Sequence, residues 1–346
     1  MNYELFDHPE KKIFLVDMRN EKSQIFSEIT EKSLRKSIDQ KKKIAIIVNK
    51  KSYATWIICQ KCGTIPQCDN CSVPIAFHKL DSQEFIGLCH ICKKQYNQPS
   101  NCPDCQSTQL QHYGIGIEKV SELLQKDYKI KPLMIESETV NSLKKIKNIE
   151  ESFNQNLIFV GTSLLNHPFA KYFFDLVIYL NADLGLNIPD FSSQENNFQF
   201  LYEWLSKHSS RHFIVQTSKP DNPSIRFACK LNPDWFFETE NIFRKEHNYP
   251  PYHEICLLLY KNEIEEKLFS QVNKLYQELL YLKEKSDNPT IEITATPPLI
   301  YKIFGKYRYS IIIKGKNIRS FVDEAFIKLQ INKRHFKVDR NAKHMI

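Results

Sequence analysis

Cys59-Gln60-Lys61-Cys62, Cys68-Asp69-Asn70-Cys71, Cys89-His90-Ile91-Cys92 and Cys102-Pro103-Asp104-Cys105 place four C-x-x-C pairs within 47 residues. A C-x-x-C turn brings two thiolates to one side of the backbone, and two such turns complete the four-sulfur shell that structural zinc prefers. Eight ligands therefore predict two closed sites with no open position for a catalytic water. Redox dithiols or an iron–sulfur cluster are the competing uses. Between Cys71 and Cys89 lie 17 residues, inside the spacing of a two-knuckle zinc site. Only five separate Cys62 from Cys68, a tight fit for two turns facing one ion. The spacing thus favours a nested pairing, with Cys68, Cys71, Cys89 and Cys92 on one zinc and Cys59, Cys62, Cys102 and Cys105 on the other. His78, His90 and His112 are expected at the surface. The isolated Cys229 and Cys256 read as small buried apolar residues.

Outward from the cysteines, the sequence alternates between two periodicities. A helix-like stretch (27–40) and a buried-strand signal (43–49) precede them. A helix-like stretch (117–126) follows, then apolar segments at 132–135, 157–161, 175–181 and 212–217. Short β-branched runs separated by helical segments predict a parallel α/β sheet, with the Cys-rich module inserted after its first strand. From residue 252 the rhythm changes. A strand (254–260), a long helix (263–285), strands at 290–303 and 307–314, a helix (317–329) and a strand near 335–339 give the order βαββαβ, the ferredoxin-like layout. The expected domains are 1–58 with 106–220 (sheet lobe), 59–105 (metal-binding insertion) and 221–346 (C-terminal domain).

Composition sets the outer bounds. At 346 residues, 42% hydrophobic and 25% charged, the chain has the profile of a globular protein of two or three domains. No apolar run approaches the 18 residues of a membrane span, so no membrane partner is expected. Met1-Asn2-Tyr3-Glu4 opens no basic-then-apolar leader, which makes the cytoplasm the expected compartment. Eight glycines disfavour a function needing several Gly-rich phosphate loops. The net charge of +8 is uneven: residues 301–346 hold twelve Lys and Arg against three acids, so the first 300 residues sum to −1. Lys302, Lys306, Arg308, Lys314 and Lys316 alternate with aromatics including Tyr309, a composition suited to phosphates and unstacked bases. These six are the candidate DNA-binding residues.

Together these segments resemble the PriA family of primosomal replication-restart helicases, from about Ile13 to the C-terminus. Val16-Asp17-Met18-Arg19 is similar to the family's entry into its second helicase lobe. Asn49-Lys50-Lys51-Ser52-Tyr53 resembles its Asn-Arg-Arg-Gly-Tyr, and Gly114-Ile115-Gly116-Ile117-Glu118 its Gly-x-Gly-Thr-Glu. Gly161-Thr162 and Asn181-Ala182-Asp183 resemble Gly-Thr-Gln-Met and Asp-Ala-Asp. Tyr249-Pro250-Pro251-Tyr252 and Lys306-Tyr307-Arg308-Tyr309 are similar to its C-terminal domain. The resemblance implies a RecA-like second lobe carrying a two-zinc insertion with the nested pairing. It also implies branched or single-stranded DNA and replication-restart proteins as partners.

Departures from the family are equally specific. No G-x-x-x-x-G-K-[ST] loop occurs in this sequence, and Asp323-Glu324-Ala325-Phe326 falls in the C-terminal domain rather than in a helicase lobe. His167-Pro168-Phe169 stands where the family has Lys-Gly-His. Trp204-Leu205-Ser206-Lys207-His208-Ser209-Ser210-Arg211 stands where the family's Gly-Arg-Ala-Gly-Arg segment reaches nucleotide. An arginine finger contributes about 10³–10⁵ in rate. The expectation is a zinc-containing DNA-binding and scaffolding protein with no ATP hydrolysis of its own. The alternative is one half of a split ATP-dependent 3′-5′ helicase whose first lobe is a separate chain.

Overall fold

The computed structural model describes residues 2–23, 25–48, 56–79, 84–135, 151–162, 165, 173–329 and 336–342. The segments 49–53 and 167–169 singled out above lie outside the described residues, as does residue 335 of the expected last strand.

Strands β3 (Ile44–Ile47), β10 (Ile158–Gly161) and β11 (Leu176–Tyr179) are buried at every position. A near-continuous apolar run is what a central strand covered on both faces requires. With β9 (Leu133–Ile135), β12 (His212–Thr217), β2 (Lys12–Asp17) and β1 (Tyr3–Asp7) they form a seven-stranded sheet, ordered β1-β2-β12-β11-β3-β10-β9. All pairs are parallel except the β1–β2 edge.

Alternate side chains of each strand enter separate cores, because successive Cβ atoms point to opposite faces. Ile44, Ile46, Val160 and Ile178 pack with Leu34, Val120 and Leu124 of helices α1 (Glu28–Asp39) and α2 (Ile117–Tyr128). The Ser27 side chain accepts the Thr30 N–H and starts α1, with Glu28 and Glu31 in its first turn, both favourable at a helix N-terminus. Ala45, Ile47, Val177 and Tyr179 face Phe198, Leu201 and Trp204 of α3 (Ser193–Lys207).

Two features depart from the sequence expectation. The edge hairpin β1–β2 was not anticipated; Ile13, Leu15 and Val16 bury it against β12. Helices α4 (Pro223–Cys229) and α5 (Pro233–Glu246), expected to open the C-terminal domain, instead join the first sheet's core. Ile225, Ala228, Cys229 and Phe236 pack there, with Phe236 stacked on Phe198 at 4.0 Å between centroids.

The Cys-rich segment leaves the lobe between β3 and α2. It contains the pair β4 (Trp56–Cys59)–β8 (Leu110–Tyr113) and the meander β5 (Ala76–Lys79), β6 (Phe85–Leu88), β7 (Gln95–Asn97).

After the turn at 249–252 come β13 (Glu254–Asn262), α6 (Glu265–Glu284), β14 (Glu292–Thr296), β15 (Lys302–Ile303), β16 (Lys306–Gly315), α7 (Arg319–Lys328) and β17 (Phe336–Asp339). The antiparallel sheet is ordered β14-β16-β13-β17, with β15 pairing β16. The single strand expected over 290–303 is broken at Pro297-Pro298, where two residues lack the N–H a ladder needs. Leu268, Val272, Leu275, Leu279 and Leu282 recur every three or four residues along α6 and bury one stripe against the sheet. On the sheet's other face Ile255, Leu257 and Ile312 meet Phe191, Tyr249 and Ala342, joining the two sheets' units.

Candidate metal centres and the basic strand

All four C-x-x-C pairs adopt one backbone turn. The N–H of the residue after each pair bonds back to its first cysteine's carbonyl: Gly63 to Cys59 (2.8 Å), Ser72 to Cys68 (2.7 Å), Lys93 to Cys89 (2.8 Å) and Gln106 to Cys102 (3.1 Å). Those four residues have φ of +77°, +48°, +63° and +58°. Each first cysteine's N–H in turn reaches a carbonyl five residues on, at Thr64, Val73, Lys94 and Ser107. Only Gly63 advertised the left-handed position in sequence; Ser72, Lys93 and Gln106 adopt it because the turn imposes it.

The pairing is nested. The Sγ atoms of Cys59, Cys62, Cys102 and Cys105 lie within 4.8 Å of one another, as do those of Cys68, Cys71, Cys89 and Cys92. Cys59–Cys105 and Cys62–Cys102 are 3.6 Å apart and Cys68–Cys92 3.7 Å, and none of these cysteines forms a disulfide. Four sulfurs about 2.3 Å from a tetrahedral ion would lie about 3.8 Å apart. Each cluster could therefore hold a metal ion, and zinc suits the donor set. Contacts with the Thr64 hydroxyl and backbone pull the Cys62 thiol down to about 6. The Lys94 N–H does the same for Cys92, also to about 6. Burial pushes Cys89 up to about 12, and a bound cation would favour its thiolate.

Neighbouring groups brace the second cluster. The Tyr96 hydroxyl donates to Cys68 Sγ at 3.0 Å and to the Asp69 carboxylate, which also pairs with Lys94 at 2.7 Å. The Phe304 N–H donates to Cys71 Sγ at 3.5 Å. The histidines stay out of both sulfur groups. His90 is exposed, while His78 and His112 are half-buried, His112 lying on the Phe85 ring at 4.1 Å. Cys229 and Cys256 are buried, and burial raises both thiols, Cys256 to about 11.

The six basic-strand residues do not share one surface. Along β16 the odd positions Tyr307, Tyr309, Ile311 and Ile313 pack toward the helices, Tyr309 meeting Phe269 edge-on at 6.1 Å. Lys306, Arg308 and Lys314 alternate onto the opposite face. Arg308 is half-buried and donates to the Ile300 carbonyl at 3.1 Å; burial lowers its pKa. Lys314 pairs with Glu292 at 2.9 Å and lies over the Tyr249 ring at 5.3 Å. Lys302 donates to the Asp69 carbonyl at 3.1 Å and sits over Tyr307 at 4.7 Å. Lys306 and Lys316 are exposed, but at ten residues' separation in a strand they are about 33 Å apart. Strand alternation alone separates Tyr309 from Lys306, Arg308 and Lys314.

The segment that stands where the family has its nucleotide-reaching arginines is partly built into the core, while its Lys207, Ser209 and Arg211 are exposed. Trp204, Leu205, His208 and Ser210 are at most 3% exposed, and the Trp204 and His208 rings stack at 5.4 Å. Lys11 closes the end of α3 by donating to the carbonyls of Leu205 (2.9 Å), Ser206 (2.6 Å) and His208 (2.7 Å). At the carboxyl ends of β10 and β11, Thr162 and Asp183 are buried. Asp183 accepts the Ser218 N–H at 2.7 Å and the Thr217 hydroxyl. The Asp323-Glu324 pair lies on α7, tied to Arg340 and Lys328.

Among the described residues no helix is long and apolar enough to cross a membrane. No family model matches the chain. It is similar to the replication restart protein PriA of Borreliella burgdorferi, with 28% identity over 310 residues, covering 88% of this chain and 46% of that protein. The Bacillus subtilis PriA is 28% identical over 350 residues, covering 97% and 42% respectively, and that of Thermotoga maritima 26% identical over 311 residues, covering 88% and 41%. This chain thus spans less than half the length of these relatives, and what it resembles, over about nine-tenths of itself, is the C-terminal half of the PriA family.

Proposed function

We propose that these residues form a zinc-containing DNA-binding and scaffolding unit of replication restart. Residues 1–58 and 106–246 make a RecA-like lobe, 59–105 a two-zinc insertion, and the remainder a ferredoxin-like domain facing branched or single-stranded DNA. The zinc ions, held by the eight cysteines in the two groups above, act structurally: each ties together two turns and leaves no coordination position for chemistry. Replication-restart proteins dock on the zinc module.

The observation that carries the non-enzymatic part is the end of α3. Where an active lobe would direct guanidinium groups at a phosphoryl group, Trp204 and His208 are core residues, Lys11 occupies the carbonyls, and the segment's one arginine, the exposed Arg211, precedes β12 at its amino end. A buried side chain, or one at the strands' amino ends, does not face a nucleotide in the crevice at their carboxyl ends. The test is ATPase activity of the purified chain with and without forked DNA. No stimulated hydrolysis is expected, and measurable turnover would refute the assignment. A second possibility, half of a split helicase, draws support from Gly161, Thr162 and Asp183 at the sheet's carboxyl edge. It requires that adding a first-lobe polypeptide restores DNA-stimulated hydrolysis.

A further inference from the structure

The turn joining β15 to β16 is Phe304-Gly305, with φ of +49° and +76°. A two-residue hairpin with both φ values positive favours Asn-Gly, and a bulky residue at the first position is an outlier. Phe304 is nonetheless there, and 61% exposed, so it is not held by core packing.

Its backbone is clamped. Phe304 N–H donates to Cys71 Sγ at 3.5 Å, Gly305 N–H to the Asn70 carbonyl at 2.8 Å, and Lys302 Nζ to the Asp69 carbonyl at 3.1 Å. A Cβ at Gly305 would meet Asn70 Oδ1 at 3.1 Å. Three successive residues of the second knuckle thus grip the turn from beneath and leave the ring directed away from the core. Lys302 and Lys306 flank it. The nearby acids are engaged: Glu263 with Lys306 at 3.5 Å, Glu265 with the Tyr301 hydroxyl at 2.6 Å, and Asp69 with Lys94.

We propose that Phe304 is a stacking residue for an unpaired base of single-stranded DNA, held in position by the Cys68–Cys71 knuckle. This rests on the DNA-binding function proposed above. An exposed aromatic ring with the exposed Lys306 two residues on suits a base and a neighbouring phosphate, and backbone strain at an exposed aromatic suits a binding position more than a folding one.

The test compares wild type, Phe304→Ala, Phe304→Trp and Lys306→Ala for binding to labelled oligothymidylate and to a duplex of equal length. Phe304→Ala is expected to weaken single-strand binding about 5- to 150-fold, the loss of one stacked base, with an unchanged salt slope and unchanged duplex affinity. Phe304→Trp should restore binding, its fluorescence quenched by the oligonucleotide. Phe304→Ala binding within twofold of wild type would overturn the stacking role. A wild-type chain that binds neither DNA would instead overturn the broader DNA-binding function. Stripping metal with a chelator should speed trypsin cleavage after Lys302 and Lys306; unchanged protection would overturn the clamp.

Discussion

Single alanine substitutions at Lys306, Lys316, Arg308 and Lys314 should divide into two classes when binding to single-stranded DNA is measured across salt concentrations. Lys306 and Lys316 are exposed, and each phosphate contact on a single strand contributes about 0.7 to the slope of log K against log salt. Between 50 and 200 mM salt, one lost contact should change the affinity ratio by about 2.6-fold, and the double variant should flatten the slope by about 1.4. The two lysines, at the start of β16 and just past its end, lie about 33 Å apart, close to ten phosphates of a B-form strand at about 3.4 Å each. An oligonucleotide too short to span the strand should therefore respond to one substitution and not the other. Arg308 and Lys314 are held by Ile300 and by Glu292 with Tyr249. Their loss should lower thermal stability and leave the slope within about 0.2 of wild type. Fluorescence anisotropy titrations at four salt concentrations suffice. If Lys314→Ala flattened the slope as much as Lys306→Ala, the division between half-buried and exposed cations would be wrong.

Replacing Cys68 and Cys71 together with Ser should lower the metal content of the purified chain from about two ions to one, measured by atomic emission; retention of both would refute the nested sites. His208 is buried between Trp204 and Phe174, and burial, reinforced by Lys11, lowers its pKa from 6.5 to about 4. The unfolded chain binds this proton below about 6.5 and the folded chain does not until about 4, so stability is full above 6.5 and falls as the pH drops through that window. The loss from this group should reach about 2 kcal/mol between pH 7 and pH 5, and His208→Leu should remove that component from urea unfolding curves. Trp204→Ala should cost about 3–5 kcal/mol in the same assay; a loss below 1 kcal/mol would contradict its place in the core.

Much of the architecture was legible because it follows from local periodicity. The runs Ile44–Ile47, Ile158–Gly161 and Leu176–Tyr179 are apolar at every position, which only a two-face-buried strand explains. The edge hairpin was harder to read, since Tyr3–Asp7 is mostly exposed and acquires its strand character by pairing. Helices α4 and α5 lie beyond the boundary expected after residue 220, yet Ile225 and Phe236 find their apolar partners on α3 and not in the second sheet.

The chemistry divides along the same line. Four C-x-x-C pairs and the distances between them favour, without any coordinates, two nested groups of four thiols, because ligand convergence is a short-range property of the chain. The charge count likewise located the excess of positive charge in the last 46 positions. Which of those cations remain exposed was decided only by tertiary structure. Lys314 is neutralised by Glu292 on a neighbouring strand, and Phe304 is fixed by Cys71, 233 residues away. A side chain's availability depends on the groups that packing brings to it, and those groups lie far off in sequence.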